Sequence, residues 1–217
     1  MQNSANYNAV AFFYDRLCQL VYGQTIKNAQ IESLQFIPAN ADILIVGGGT
    51  GWILEEIAKI HSAGLRITYI DSSSKMIELS KKRNRALNTV EFINESIENI
   101  HLSQQKYDVV LTPFLFDNFS QSLAEFIFKK LDATLKPNGN WLYIDFHLSK
   151  KSTYLQKTLL KLMYIFFSFT CKVEANQLPD MANCFSDYKT KCAKNYYGNF
   201  ITMQVYQKGI NSLAIKS

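Results

Sequence analysis

The sequence is poor in the residues that build metal centres and disulfide frameworks. Its four cysteines, Cys18, Cys171, Cys184 and Cys192, contain no C-x-x-C spacing, and its three histidines supply no pair at ligand intervals. A zinc site is therefore not expected. Scattered thiols of this kind fit the reduced state of a cytoplasm. No Lys-Ser or Lys-Thr pair follows a glycine loop at the right offset, which excludes a Walker phosphate loop. The amino-terminal MQNSANYNAV has no basic stretch leading into an apolar core, so no secretory leader is expected. No unbroken apolar run reaches the roughly 20 residues a spanning helix needs. No repeat, low-complexity stretch or linker interrupts the 217 residues, which read as one domain. Hydrophobic content of 47% with 19% charged residues fits a globular chain. The net charge of +5 comes from scattered lysines. The densest basic run, residues 75–85 with Lys81, Lys82, Arg83 and Arg85, reads as the solvated face of a helix rather than a nucleic-acid patch.

What is present is concentrated in residues 43–51, ILIVGGGTG, where four of the nine glycines follow a short aliphatic run. The run has the composition of a buried parallel strand, and the glycines that of a backbone turning closely against a ligand. Ile53, Leu54, Ile57, Ala58 and Ile60 then recur at helical spacing. A dinucleotide fingerprint from Gly47 needs a third glycine at position 52, where the chain has Trp52. The order Gly47, Gly49, Gly51 leaves room for a small adenosyl ligand instead. Asp71 ends a second strand-like run, RITYI, where a carboxylate can accept both ribose hydroxyls of a nucleoside. Two plainer readings stay open: the glycines form an ordinary tight turn, and Asp71, before Ser72, Ser73 and Ser74, caps a helix.

These residues resemble a class I S-adenosylmethionine-dependent methyltransferase, closest to the small-molecule group (methyltransferase type 11) that includes quinone-biosynthesis enzymes. The resemblance runs from about residue 7 to the end of the domain. It implies that Gly47, Gly48, Gly49 and Gly51 support the methionine part of S-adenosylmethionine and that Asp71, with Ser72 and Met76, borders its ribose and adenine. It places Glu95 and Ser96 near the adenine amino group and Tyr14, of the pair Tyr14-Asp15, over the cofactor. The family usually carries an acid two residues before the first glycine; here the residue is Ile45.

The expected fold is a doubly wound, mostly parallel seven-stranded sheet closed by an antiparallel hairpin. Residues 1–38 form amphipathic lid helices ended by Pro38, and 39–147 the cofactor-binding core. Gly64 ends the first core helix, and the second carries Met76, Ile77 and Leu87. Strands cover 66–70, 90–93, 107–111 and 140–146. A helix with Leu123, Phe126, Ile127, Lys130, Leu131 and Leu135 on one face stops at the turn Lys136-Pro137-Asn138-Gly139. Residues 191–217 supply the hairpin, turning on Gly198-Asn199, and a tail. In such a sheet the carboxyl ends of the strands face the ligand. Thr112 and Pro113 are therefore placed beside the cofactor, and Asp117 and Asn118 beside the acceptor. His147 is the first candidate for a general base and Asp117 the second. Thr112-Pro113-Phe114 lacks the polar leader and second proline of enzymes that methylate amide or adenine nitrogens.

The segment 148–190 departs most from a minimal domain. Its stretch 154–171, YLQKTLLKLMYIFFSFTC, is a helix packed on the core, a cap over an apolar substrate pocket, or a surface against a membrane or a second subunit. The expectation is a cytoplasmic methyltransferase acting on a small apolar or aromatic acceptor, with no nucleic-acid partner and no metal. The rival is a cofactor-binding, non-catalytic protein that keeps the fold.

Overall fold

The computed structural model describes residues 24–147 and 177–210. The described elements are, in order, α1 (Thr25–Ser33), β1 (Asp42–Val46), α2 (Trp52–Ile60), β2 (Ala63–Asp71), α3 (Ser74–Lys81), β3 (Leu87–Asn94), β4 (Tyr107–Pro113), α4 (Gln121–Thr134), β5 (Leu135–Phe146), β6 (Tyr188–Tyr196) and β7 (Ile201–Lys208). They form one sheet in the order β3-β2-β1-β4-β5-β7-β6. The first five strands are parallel, and β7 runs antiparallel to both β5 and β6. This is the expected doubly wound, seven-stranded sheet.

The aliphatic run of β1 is explained by burial on both faces. Ile43 and Ile45 pack with Ile53, Leu54 and Ile57 of α2 and with Ala29 of α1. Leu44 and Val46 pack on the opposite side with Ala124, Ile127, Phe128 and Leu131 of α4. Ile45, standing where an acid was expected, is fully buried in the first of these cores.

Several local expectations are corrected. Gly64 does not end a helix. It lies inside β2 with φ +91°, at the register shift between Ala63 and Arg66, where a Cβ would meet Asn40 Oδ1 at 2.2 Å. Leu87 does not sit on a helix face; it opens β3 and is exposed. Phe126 is also exposed on α4, its place in the core taken by Phe128, which stacks on Trp141 at 4.8 Å. Leu135 opens β5 instead of closing α4. The turn at 136–139 survives as an irregularity within β5, the pairing with β4 jumping from Tyr107↔Leu135 to Val109↔Asn140. The last hairpin closes through Tyr197, Gly198, Asn199 and Phe200 rather than two residues, because Tyr196 and Ile201 are the last pair; Tyr197, Gly198 and Asn199 all have positive φ. Tyr14, Asp15 and the stretch 154–171 lie outside the described residues. Among those described, no helix is long and apolar enough to cross a membrane.

Candidate functional site

Strand register decides which residues meet. Val46 is level with Ile70, and Asp71 with Asn94, so Gly47, Asp71 and Glu95 emerge side by side from the carboxyl ends of β1, β2 and β3. Ile45 is level with Leu111 and Pro113 with Ile144, which brings the end of β4 and Asp145 of β5 to the same edge. Sequence order reverses between β1 and β4, the point where an open α/β sheet forms its crevice.

The glycine loop leaves β1 with Gly47 N–H donating to Ile70 O at 2.9 Å. Gly47, Gly49 and Gly51 all have positive φ, from 62° to 77°. Space separates their roles. A Cβ on Gly51 would stand 2.4 Å from Ser80 Cβ, so that glycine admits α3. Among the described residues, a Cβ on Gly49 would meet nothing within 4 Å. Gly49 therefore presents bare backbone to open space, the feature a closely approaching ligand requires. Arg83 holds the loop from outside, its Nε donating to Thr50 O at 3.0 Å and its guanidinium reaching Glu55 at 3.5 Å. The basic run is thus only partly a solvated face.

Asp71 is fixed by backbone donors. Its Oδ2 accepts from Gly49 N–H at 3.0 Å and its Oδ1 from Ser73 N–H at 2.9 Å, which leaves lone pairs on both oxygens for ribose hydroxyls. Desolvation pushes its pKa up to about 6, against the lowering effect of those two donors. The helix cap once open for Asp71 belongs to Ser73, whose Oγ accepts from Met76 N–H at 3.2 Å. Met76 is buried, while Ser72 is exposed at the loop.

Other expected contacts are distributed unevenly. Glu95 is exposed and its Oε1 accepts from Ser96 N–H at 2.8 Å and from Asn99. Ser96 Oγ in turn donates to Glu98. Thr112 does not offer its hydroxyl to the crevice: the side chain is fully buried and accepts from Trp141 Nε1 at 2.9 Å. Pro113 ends β4 beside it. Asn118 turns its amide inward, donating to Phe114 O, Leu115 O and Asp117 Oδ1, so it braces the loop after β4. His147 follows β5 with an exposed side chain and its N–H bonded to Phe200 O.

One residue at this edge had no role assigned from sequence. Asp145 is buried, and its carboxylate accepts from the N–H groups of Phe116 at 3.1 Å and Phe146 at 2.8 Å. Asp117 is buried next to it. Burial and then the charge of Asp145 push the Asp117 carboxyl well above the carboxylate range. Burial raises Asp145 to about 7, opposed by three backbone donors. Its signal in the sequence was a carboxylate in phase with Trp141 and Tyr143, both buried, in a strand with no polar face. The amino edge of the sheet contrasts with this. There Arg66 pairs with Asp42 at 2.6 Å and Lys136 with Asp108 at 2.8 Å, and the hydrogen bond from Arg66 holds Asp42 low. At the carboxyl edge, no ion pair joins Asp71, Asp117 or Asp145 to a cation among the described residues. Unneutralised carboxyls held by backbone N–H groups are suited to accept hydrogen bonds or a proton from a bound molecule.

A bare glycine backbone beside a fixed acid, at the switch point of a 3-2-1-4-5-7-6 sheet, is where an open α/β domain can hold a nucleoside. Residues 43–139 match the family described as a methyltransferase domain. The chain is 26% identical over 222 residues to the ubiquinone/menaquinone biosynthesis C-methyltransferase of Wigglesworthia glossinidia brevipalpis, covering 97% of this chain and 80% of that protein. It is 36% identical over 114 residues to the malonyl-(acyl-carrier protein) O-methyltransferase of Priestia megaterium, covering 52% of this chain and 40% of that protein. In fold it is similar to a SAM-dependent methyltransferase from Aquifex aeolicus, with a TM-score of 0.60 at 15% identity, over 92% of this chain and 97% of that one. These matches support a class I S-adenosylmethionine-dependent methyltransferase, with S-adenosylmethionine as the cofactor. The residues present fit that cofactor, since Gly49 leaves room for close approach and Asp71 has unneutralised, uncommitted lone pairs.

Proposed function

We propose that the enzyme methylates a small, largely apolar or aromatic acceptor, with ring-carbon or hydroxyl methylation of a quinol or phenol as the leading case. The observation that carries this reading is the buried pair Asp117 and Asp145 at the carboxyl edge of the sheet, with the rings of Phe114 and Phe146, 4.8 Å apart, on the other face of that edge. Similarity to a protein named as a ubiquinone/menaquinone biosynthesis C-methyltransferase supports it. Bound S-adenosylmethionine supplies an electrophilic methyl group and leaves as S-adenosylhomocysteine. The chain's own residues do the rest. Gly49 and Asp71 hold the adenosyl part, the aromatic edge keeps water away, and a carboxylate of the Asp117–Asp145 pair takes the proton that the acceptor loses. His147 is the second candidate for that proton, one residue beyond β5.

The remaining parts of the reading concern segments that extend beyond the described residues. Residues 1–38 act as a lid carrying Tyr14, and 148–190 as a substrate cap whose stretch 154–171 also offers a membrane or homodimer contact. A cytoplasmic setting fits Cys184 and Cys192, both free thiols. No nucleic-acid partner is part of the proposal. A non-catalytic, cofactor-binding role is the second reading, favoured by Ile45 in place of the usual acid.

The test is a calorimetric titration with S-adenosylhomocysteine, with NAD as control, followed by labelled methyl transfer to a panel of quinols, phenols and lipids. Transfer to a quinol or phenol supports the proposal; cofactor binding with no acceptor methylated transfers support to the second reading. Asp71→Ala is expected to weaken S-adenosylhomocysteine binding by roughly 1 to 3 kcal/mol, through loss of charge-assisted bonds to ribose. Binding by the wild type is expected to tighten as pH rises through about 6, because the ionised Asp71 is the better acceptor. Near that pH, binding releases a proton, which titrations in buffers of different ionisation enthalpy will register. Affinity independent of pH between 5 and 8 would remove Asp71 from the ribose. For the base, Asp117→Asn is expected to lower turnover by roughly 10²-fold or more without changing cofactor affinity, and a larger loss in His147→Asn would reverse the assignment.

A further inference from the structure

Both backbone polar atoms of one glycine are held by two side chains of one strand. Tyr69 and Asp71 lie two residues apart on β2 and so on the same face. Tyr69 Oη donates to the carbonyl of Gly49 at 2.9 Å, and Asp71 Oδ2 accepts from the N–H of the same residue at 3.0 Å. The Tyr69 ring is fully buried beneath the loop, so close that a Cβ on Gly48 would stand 2.4 Å from its hydroxyl. Where a Cβ on Gly49 would stand, no described residue beyond its chain neighbours lies within 4 Å. Tyrosine is required on two counts. Its ring fills the space that Gly48 leaves, packing on Phe92 at 5.5 Å, and its hydroxyl reaches a carbonyl that faces away from the crevice.

We propose that Tyr69 is a positioning residue for the adenosyl ligand: its hydroxyl fixes Gly49, and Gly49 fixes the carboxylate of Asp71 in the orientation that meets the ribose. This rests on the assignment of Asp71 to the ribose. Tyr69 touches no ligand itself. Without the hydroxyl, Gly49 keeps only one of its two anchors while holding a left-handed conformation that glycine readily leaves. The Asp71 oxygen that depends on Gly49 N–H then loses its fixed donor.

The experiment compares Tyr69→Phe with the wild type by calorimetry, using S-adenosylhomocysteine and adenosine as the two probes. Phenylalanine keeps the ring packing, and near-ultraviolet circular dichroism with the thermal midpoint checks that the fold is retained. Both ligands are expected to bind roughly three- to tenfold more weakly, the size of one lost hydrogen bond, and by the same factor, since both carry the ribose. In an Asp71→Ala background the addition of Tyr69→Phe is expected to shift affinity by less than about twofold, because the carboxylate through which the hydroxyl acts is already gone. Unchanged affinity in folded Tyr69→Phe overturns the inference. So does a loss seen for S-adenosylhomocysteine but not for adenosine, or an undiminished loss in the Asp71→Ala background. If Asp71→Ala alone binds as tightly as the wild type, the ribose assignment itself falls; if Asp71→Ala binds nothing measurable, the equal factors for the two ligands decide.

Discussion

Gly49→Ala is expected to weaken S-adenosylhomocysteine binding by about 100-fold or more in a protein that still folds, whereas Gly51→Ala is expected to compromise the fold. Both glycines have left-handed φ, 62° and 77°, so alanine costs each of them about 1 to 2 kcal/mol of backbone strain. Their surroundings then separate them. The new methyl group at Gly49 enters space that no atom of the described residues beyond its chain neighbours occupies within 4 Å, the space assigned to the ligand. At Gly51 it meets Ser80 Cβ at 2.4 Å and Ser80 Cα at 2.6 Å, and a helix backbone cannot rotate aside as a side chain can. Overpacking of that kind adds about 1 to 3 kcal/mol, which against a typical stability of about 5 to 15 kcal/mol is a large loss. Urea denaturation of the two variants, with a ligand titration of whichever remains folded, checks both statements. Wild-type affinity in Gly49→Ala would mean that the open side of the loop is not the ligand side. Equal stabilities would mean that α3 yields where its contact with the loop is drawn as rigid.

The second large effect is a loss of stability with rising pH. An acid whose folded pKa lies above its unfolded value binds more protons when folded, so its contribution to stability is greatest below the unfolded pKa. It is lost progressively until pH passes the folded pKa. Asp145, raised to about 7 by burial, loses it between roughly pH 4 and 7; Asp117, raised well above the carboxylate range by burial and then by Asp145, acts in the same direction. Asp71 acts in the same direction up to about pH 6. The ion pairs at the amino edge act oppositely: Asp42, held low chiefly by Arg66, loses stabilisation as pH falls below the usual carboxylate range, but it is solvent-screened and contributes little. Urea midpoints measured from pH 5 to 8.5 are therefore expected to fall, and Asp117→Asn, which removes one charge of the pair and spares the carboxylate that accepts three backbone N–H groups, is expected to flatten the slope. A slope that is the same in Asp117→Asn as in the wild type would place the titrating groups elsewhere.

Much of the candidate cofactor site was legible because its signals are local. Glycine spacing in 47–51, the aliphatic run before it and the acid ending RITYI each lie within a few residues, and strand and helix periodicities order the chain around them. The errors have local causes too. Gly64, Leu87 and the turn at 136–139 were assigned by composition, but a glycine or proline marks an irregular backbone without saying whether a strand continues through it. Phe126 and Phe128 compete for one face of α4, and only the position of Trp141 on β5 selects Phe128. The acceptor side was far less legible. Asp117 could be placed at the crevice from its position after β4, but Thr112 and Asn118, equally well placed by that logic, spend their polar groups on Trp141 and on the loop itself.

The sequence by itself determined the order of the elements, the parallel βα winding, the glycine loop and the acid that faces it, because each follows from the conformational freedom of glycine or from apolar periodicity over a few residues. Only the tertiary structure decided that Asp117 shares its burial with Asp145, that Tyr69 and Asp71 grip the two ends of Gly49, and that Arg83 closes on Thr50. Those partners lie between 20 and 33 residues apart in the chain, and what brings them together is strand register. Register is set by the whole set of side chains buried on the two faces of the sheet, so no short stretch of sequence carries it.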